Sequence, residues 1–145
     1  GTTDFIFGPS TVWFEKCHIH SKSNSYITAA STPKGIKWGY VFNQCKLTAD
    51  EGVNKVYLGR PWRPYAYTLF MNCELGSHIV PAGWQAWSNK DNLGTTTYLE
   101  YKNYGSGANT DKRISWSRQL TDQEAKEITL EEVMRLQESE WDVVL

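Results

Sequence analysis

The sequence feature that most constrains the fold is a pattern of three residue types that recurs at a fixed step. Phenylalanine, cysteine and isoleucine or leucine stand in the same order in three segments that begin 28 residues apart, at 14–19, 42–47 and 70–75. A weaker fourth copy follows at the same step, with Tyr98 in the position of the phenylalanine and Tyr101 in that of the cysteine. A period of this size indicates a repeat architecture, in which each unit buries its apolar side against the next.

The repeated units have the composition of β-strands. They are short, rich in aromatic and β-branched residues, and separated by turn-forming clusters such as residues 31–35. One coil of short strands per repeat predicts an all-β fold, a parallel β-helix whose coils stack about 4.8 Å apart with like residues above like. A stack of β-hairpins is the alternative, but tight two-residue turn signals are scarce in this sequence.

The three cysteines occupy equivalent positions of successive repeats. Cys17, Cys45 and Cys73 are therefore predicted to form a buried ladder of small apolar side chains. A disulfide between Cys17 and a residue upstream of this chain is the alternative, because an odd number of cysteines leaves one without a partner. No Cys-x-x-Cys spacing is present, which argues against a zinc site.

The repeat fades after Tyr104, which predicts a single partial domain with β-helix coils at 1–108 and a C-terminal loop and capping helices at 109–145. Two capping boxes predict short helices at 122–126 and 130–137. Polar helices after the last coil would cover an exposed end of the solenoid. We therefore expect the C-terminus to be that of the protein and the first part of the protein to be missing.

Composition excludes two classes of partner. The net charge is −1 and the basic residues form no cluster, so nucleic acid is not an expected ligand. No apolar run approaches the roughly 20 residues needed to span a bilayer. The seven tryptophans, eight tyrosines and five phenylalanines suit a rigid core or a groove that stacks on sugars. The pair His18 and His20 could bind a metal, but no carboxylate or cysteine obviously joins it, so a solvated face is the preferred interpretation.

Asp4 stands in an apolar, strand-like segment, where an unpaired carboxylate would be costly. The 28-residue step leads from Asp4 to Thr32 and then to Arg60, at the same angular position two coils away and about 10 Å along the stack. A long arginine side chain can reach over a small threonine to meet the carboxylate. Such a contact would keep Asp4 ionised and oriented, as a nucleophile requires. The alternative is an ion pair that merely neutralises a buried charge.

Two aromatic residues accompany this pair. Trp62 follows Arg60 by two residues, so on a strand it points to the same face and could stack on a sugar ring, although many tryptophans simply fill a core. Phe7 is placed near the same groove if the adjoining Gly8-Pro9 turns the chain.

Residues 1–8 and 58–62 resemble the two C-terminal signature motifs of the pectin methylesterases, which belong to the pectinesterase family. Residues 83–87, 101–108 and 119–121 resemble that family as well, so the likeness runs from residue 1 to about 136. The resemblance implies a right-handed parallel β-helix that hydrolyses the methyl esters of galacturonate units in pectin and releases methanol. It also implies a secreted monomer that modifies the cell wall or degrades pectin and needs neither a metal nor an organic cofactor.

The resemblance further implies a role for individual residues. Asp4 would be the catalytic nucleophile that forms an acyl-enzyme, Arg60 would orient it, and Trp62 would pack against the galacturonate of methylated homogalacturonan. The family's second aspartate lies in a Gln-Asp motif one coil earlier and acts as the general acid. This sequence has no glutamine followed by aspartate, so we expect the polypeptide as given to be inactive.

Two other classes of function stay open from the sequence. One is a catalytically silent β-helix that only binds acidic polysaccharide. The other is a relative of the pectate lyases or polygalacturonases. Lyases generally need calcium held by several carboxylates, and no such cluster surrounds Arg60 in the sequence.

Overall fold

The computed structural model describes residues 1–88 and 90–135. Its strands are β1 Ile6–Gly8, β2 Val12–Glu15, β3 His18–Ser21, β4 Tyr26–Ala30, β5 Tyr40–Asn43, β6 Lys46–Ala49, β7 Tyr57–Gly59, β8 Tyr67–Met71, β9 Glu74–Leu75, β10 Thr97–Tyr101 and β11 Arg118–Gln119. A 3₁₀ helix spans Lys90–Gly94, helix α1 spans Asp122–Glu127, and residues 130–135 form a second helical segment, α2.

The strands form three sheets in which every pairing is parallel. The first sheet has the order β1-β4-β7, the second β11-β10-β8-β5-β2 and the third β3-β6-β9. The first three coils therefore each contribute one strand to each sheet in turn, β10 and β11 extend the second sheet alone, and the predicted parallel β-helix is confirmed. Parallel pairing also excludes the stack of hairpins, because a hairpin joins antiparallel strands.

The 28-residue step is the register of the second and third sheets. Phe14 is paired with Phe42, and Phe42 with Phe70. Their rings stack in the interior with centroids 4.4 and 4.2 Å apart and nearly parallel planes. Successive coils thus repeat the same aromatic side chain at the same place, which is what the sequence pattern predicts.

The predicted fourth copy of the repeat is wrong in its register. Strand β10 pairs with β8 at a step of 30 residues, so Glu100, not Tyr98, lies opposite Phe70. Tyr98 lies opposite Thr68, and Tyr101 lies opposite Met71 instead of continuing the cysteine ladder. The third coil is longer by two residues than the step assumed, and it carries the 3₁₀ helix in the connection before β10. The ring of Tyr98 still extends the interior stack, since it lies 4.2 Å from that of Trp84.

The cysteines form the predicted ladder. Cys45 and Cys73 are buried, Cys17 is partly exposed, and all three are free thiols in this structure. The Sγ of Cys45 donates to the carbonyl of Phe14 at 3.4 Å, and that of Cys73 donates to the carbonyl of Phe42 at 3.6 Å. A disulfide from Cys17 to an upstream residue stays a prediction.

The capping residues of both helices occur where they are predicted. Thr121 accepts a hydrogen bond from the backbone N–H of Glu124 and donates its own N–H to the Glu124 carboxylate, at 3.2 and 3.0 Å, which completes a capping box. Thr129 caps α2 by accepting a hydrogen bond from the N–H of Glu132 at 3.2 Å. Helix α1 extends one residue beyond its predicted end, and the last two residues predicted for α2, 136 and 137, lie outside the described residues.

The C-terminal helices pack on the side of the solenoid. Ile128 and Val133 join an apolar cluster with outward-facing side chains of the second sheet, such as Leu69 and Leu99. The segment before β11 instead reaches the last coil, where Trp116 lies against Tyr98. No helix within residues 1–88 and 90–135 is long and apolar enough to cross a bilayer.

Candidate active site

Asp4 lies just before β1 and is fixed to the neighbouring coil through its backbone. Its amide donates to the carbonyl of Tyr26 at 2.8 Å. Its φ angle is 46°, in the left-handed region that aspartate tolerates better than most residues. This bend interrupts the extended chain before β1 and sets the direction from which the carboxylate leaves the backbone.

Arg60 follows β7 directly and meets that carboxylate. Its Nε donates to Oδ1 of Asp4 at 3.2 Å and its Nη2 to Oδ2 at 2.7 Å. The Asp4 and Arg60 side chains are 19% and 24% exposed, so solvent reaches the pair without surrounding it. The predicted contact between Asp4 and Arg60 is therefore confirmed, as a two-point charge-assisted pair.

The register that led to this contact is wrong for the first sheet. Ile6 pairs with Thr28 and Thr28 with Gly59, which are steps of 22 and 31 residues in place of 28. Thr32 does not lie between the two members, because its hydroxyl accepts a hydrogen bond from the backbone N–H of Tyr67. The turns that connect to the first sheet differ in length from coil to coil, so a step measured on the second sheet does not carry over to it.

Two aromatic rings enclose the guanidinium of Arg60. Its Cζ lies 4.0 Å from the ring centre of Tyr26 and 3.8 Å from that of Trp87. Each contact is a cation–π interaction, and together they restrict the guanidinium to the plane in which it meets Asp4. Neither tyrosine nor tryptophan was singled out for this role from the sequence. The only signal for Trp87 is its place in the 83–87 motif, and Tyr26 has none.

Phe7 and Trp62 form the open side of the site. Their rings meet edge to face at 6.0 Å, and the residues are 63% and 36% exposed. Together with Asp4 and Trp87, they line a cavity of about 240 Å³. The structure thus brings Asp4, Arg60, Trp62 and Phe7 together as predicted, while their contact with a substrate stays a prediction.

The charge of Asp4 affects a buried residue of the core, Tyr98. Burial raises the pKa of Tyr98 well above its usual value, and the negative charge of Asp4 raises it further. Tyr98 therefore stays a neutral phenol and does not compete with the Asp4 carboxylate as a base.

The histidine pair on the third sheet does have a carboxylate, contrary to the sequence interpretation. His20 Nε2 lies 2.7 Å from Asp50 Oδ1. The hydroxyl of Thr48 lies within hydrogen-bond distance of both His18 and His20. Asp50 is 30 residues from His20 and comes alongside only through the stacking of coils. Within residues 1–88 and 90–135, no group of three or more His, Cys, Asp or Glu is placed to hold a metal ion.

The arrangement defines what the groove can do. A carboxylate that is fixed by two N–H groups and partly shielded from water can act as a nucleophile or base with a constant orientation. Exposed aromatic rings beside it suit the apolar face of a sugar. Fold and groove together define a parallel β-helix with a carboxylate–guanidinium pair in an aromatic-lined cleft.

Comparison with known proteins identifies the family. The family model for Pectinesterase matches residues 1–137, and the chain belongs to the pectinesterase family. Pectinesterase 31 of Arabidopsis thaliana is 40% identical over 126 residues, which cover 86% of this chain and 40% of the relative. The chain thus spans about two fifths of the length of that relative.

Solved structures show the same fold. The pectin methylesterase from carrot is 31% identical, with a TM-score of 0.86 over 93% of this chain and 47% of the carrot chain. A pectin methylesterase solved in complex with a hexasaccharide is 29% identical, with a TM-score of 0.72 over 91% of this chain and 47% of that one.

Proposed function

We propose that this chain carries the nucleophile and part of the substrate groove of a pectin methylesterase. The full-length protein would hydrolyse methyl esters of galacturonate units in homogalacturonan and release methanol. The single observation that carries the proposal is the two-point pair of Asp4 and Arg60 at the wall of an aromatic-lined cavity. Membership of the pectinesterase family supports the reaction class, carboxylic ester hydrolysis.

Asp4 is proposed as the nucleophile. One oxygen of its carboxylate attacks the ester carbonyl carbon, and the bond from that carbon to the methoxy group breaks. Methanol leaves with a proton from a general acid, and the substrate acyl group stays on Asp4 as an anhydride. Water then attacks the acyl carbon and gives a proton to the former general acid, which now acts as the base. The bond between the acyl carbon and the Asp4 oxygen breaks, which returns the Asp4 carboxylate and leaves galacturonic acid, and this product loses its proton to solvent.

The remaining site residues have supporting roles in this proposal. Arg60 fixes the orientation of Asp4 through the charge-assisted bonds at 2.7 and 3.2 Å. Trp62 and Phe7, exposed at the mouth, offer ring surface to the sugar. The hexasaccharide complex of a related pectin methylesterase supports a polysaccharide as the ligand.

The general acid is not among the candidates in this chain. By the family resemblance it belongs to a Gln-Asp motif, which the sequence lacks. We therefore expect the 145-residue chain alone to release no methanol. We also propose, on the family resemblance, that the full-length protein is a secreted monomer that acts on pectin in the cell wall, with neither nucleic acid nor membrane as a partner.

The test is methanol release from highly methylated pectin by the full-length protein and by its Asp4→Asn variant. We expect release by the wild type and loss of it in the variant. The matched control is Asp50→Asn, which makes the same chemical change on the outer face of the third sheet and should leave release unchanged.

Two outcomes would overturn the proposal. Binding of pectin without methanol release would indicate a silent polysaccharide-binding β-helix. Unsaturated chain ends that form only with calcium would indicate a lyase.

A further inference from the structure

Tyr26 touches both members of the Asp4–Arg60 pair. Its backbone carbonyl accepts the N–H of Asp4 at 2.8 Å, and its ring lies 4.0 Å from the guanidinium carbon of Arg60. It therefore takes the place between them that the sequence assigned to Thr32. A displacement of Tyr26 would move the carboxylate and the guanidinium together.

The ring of Tyr26 is held from the next coil. Its hydroxyl donates to Oε1 of Gln85, and Nε2 of Gln85 donates in turn to the hydroxyl of Tyr57 at 3.2 Å. The rings of Tyr26 and Tyr57 stack with centroids 5.2 Å apart and planes 18° apart. Both stacking and a two-step hydrogen-bond chain thus fix the tyrosine.

The segment that carries Gln85 is itself attached beside the site. The backbone N–H of Gln85 donates to the carbonyl of Gly59, the residue before Arg60. Two residues later, the ring centre of Trp87 lies 3.8 Å from the guanidinium carbon. One short segment therefore supplies both the anchor of Tyr26 and the second ring of the enclosure.

An unrestrained arginine would lose the geometry that the reaction needs. Its side chain has several rotatable bonds, and only one arrangement gives two parallel bonds to a carboxylate. Two rings packed against the guanidinium remove most of the alternatives before substrate arrives. The two bonds to Asp4 alone would leave rotation out of the shared plane unopposed.

We propose that Tyr26 is a positioning residue for Arg60 and Asp4, and that Gln85 and Tyr57 hold its ring in place. This inference rests on the proposed function, since it concerns the same reaction. Tyr26 acts through Arg60 and does not touch the reacting atoms. The set is distinct from the substrate-facing residues Phe7 and Trp62, because Tyr26 lies against the guanidinium and not at the open mouth.

The experiment compares Tyr26→Leu, Tyr26→Phe and Gln85→Leu in the full-length protein, with kcat, KM and the pH profile of kcat/KM as readouts. Loss of the ring in Tyr26→Leu is expected to lower kcat by about 10- to 100-fold with KM changed less than about threefold. Because Tyr26 acts on the catalytic pair, a change in the pH profile of kcat/KM is expected together with the fall in kcat. Tyr26→Phe and Gln85→Leu keep the ring and should give smaller changes in the same direction.

Tyr101→Leu is the matched control. It also removes a tyrosine whose hydroxyl bonds a polar side chain, Asp122 at 2.7 Å, but on the outer face of the second sheet. Its effect should be confined to stability, with kcat and the pH profile of kcat/KM unchanged.

The outcomes separate this inference from the proposed function. Absence of methanol release by the wild type overturns the proposed function. An active wild type whose Tyr26→Leu variant keeps its kcat and its pH profile overturns the positioning role alone. If Tyr26→Leu does not fold, Tyr26→Phe and Gln85→Leu decide, and unchanged kcat and pH profile in both contradict the inference.

Discussion

Two carboxylate–guanidinium pairs within residues 1–88 and 90–135 share almost the same geometry in very different surroundings. Arg60 bonds Asp4 at 2.7 and 3.2 Å, and Arg113 bonds Glu100 at 2.8 and 3.1 Å. The side chains of the first pair are 24% and 19% exposed, whereas those of the second are 4% and 1% exposed. Pairing alone therefore does not distinguish a working carboxylate from a structural one.

The second pair is saturated with hydrogen bonds. Glu100 also accepts from Asn103 and Gln119, each at 3.3 Å. Arg113 donates in addition to backbone carbonyls, among them that of Gly107 at 2.9 Å. Glu100 lies in register with Phe70, so this network occupies the position in β10 that a phenylalanine holds in β8. Its charges are buried and compensated, and the Glu100 carboxylate accepts four hydrogen bonds.

The first pair is left incomplete. Within residues 1–88 and 90–135, the side-chain hydrogen bonds of Asp4 come from Arg60 alone, and Asp4 lines the cavity beside Phe7 and Trp62. A carboxylate oxygen with free lone pairs at a cavity can reach a ligand, while one enclosed by four donors cannot. The two pairs differ in whether a ligand can reach the carboxylate, and not in the distances between carboxylate and guanidinium.

The largest expected effect comes from breaking the buried pair. Glu100→Leu leaves the Arg113 charge buried without its partner and should lower the free energy of unfolding by about 3–5 kcal/mol. Denaturant unfolding of the full-length protein measures it. The double variant Glu100→Leu/Arg113→Met removes both charges and should recover most of the loss. A single variant that costs under about 1 kcal/mol would show that the buried pair is not the structural element we infer.

The next-largest effect tests the role of the Asp4–Arg60 pair, which is the open pair because solvent reaches it. Arg60→Lys keeps the positive charge but loses the two-point contact and the flat stacking between Tyr26 and Trp87. We expect kcat for methanol release to fall by about 100-fold while the melting temperature changes little. Arg118→Lys is the control, because Arg118 also bonds a carboxylate, Glu124, at 2.8 Å, but on the surface. An Arg60→Lys variant with wild-type kcat would contradict the need for a fixed guanidinium.

His78 extends the comparison of buried and exposed charged groups, because it is a buried ionisable group that has no ionic partner in the described residues. Burial lowers the pKa of His78 from its usual value of 6.5, and nearby His20 lowers it further. The unfolded chain therefore takes up a proton that the folded chain resists, so this contribution to stability is full above about pH 6.5 and is lost as the pH falls below it. His78→Leu should flatten the pH dependence of the unfolding free energy in that window. If the unfolding free energy of the variant keeps the same slope against pH, groups other than His78 cause the pH dependence.

The smallest effect is expected at a third pair, which lies on the surface. Hydrogen bonds from Arg118 lower the pKa of Glu124 to about 2. The contribution of this pair is present above about pH 4.5, the usual value for glutamate, and is lost as the pH falls towards 2. Because both side chains are exposed, Arg118→Gln should change the melting temperature less than any substitution above. A loss of stability as large as that expected for Glu100→Leu would contradict the prediction that breaking a buried ion pair costs more than breaking an exposed one.

The sequence predicts best where identical residues stack on one another. Phe14, Phe42 and Phe70 repeat at one step because two of the three sheets keep that register. Such a pattern reports the fold directly, since each coil must fill the same interior position.

The arrangement of the site is harder to predict from the sequence repeat than the arrangement of the core. The contact between Asp4 and Arg60 was predicted from a step that does not hold in their sheet, and a long arginine side chain made the contact in spite of the shift. Tyr26 and Gln85 lie 59 residues apart and meet only because the turns have particular lengths. No periodic signal in the sequence predicts those turn lengths. Nor does one predict the two additional residues that place Glu100 in register with Phe70.

The most direct test measures methanol release per folded molecule and the melting temperature of two matched variants of the full-length protein, Asp4→Asn and Glu100→Gln. Asp4→Asn is expected to lose at least about 10³-fold in methanol release with little change in melting temperature. Glu100→Gln is expected to lower the melting temperature clearly while its folded fraction keeps wild-type turnover. Substantial methanol release by a folded Asp4→Asn variant, or loss of turnover by a folded Glu100→Gln variant, would contradict the assignment of chemistry to the open pair and stability to the buried one.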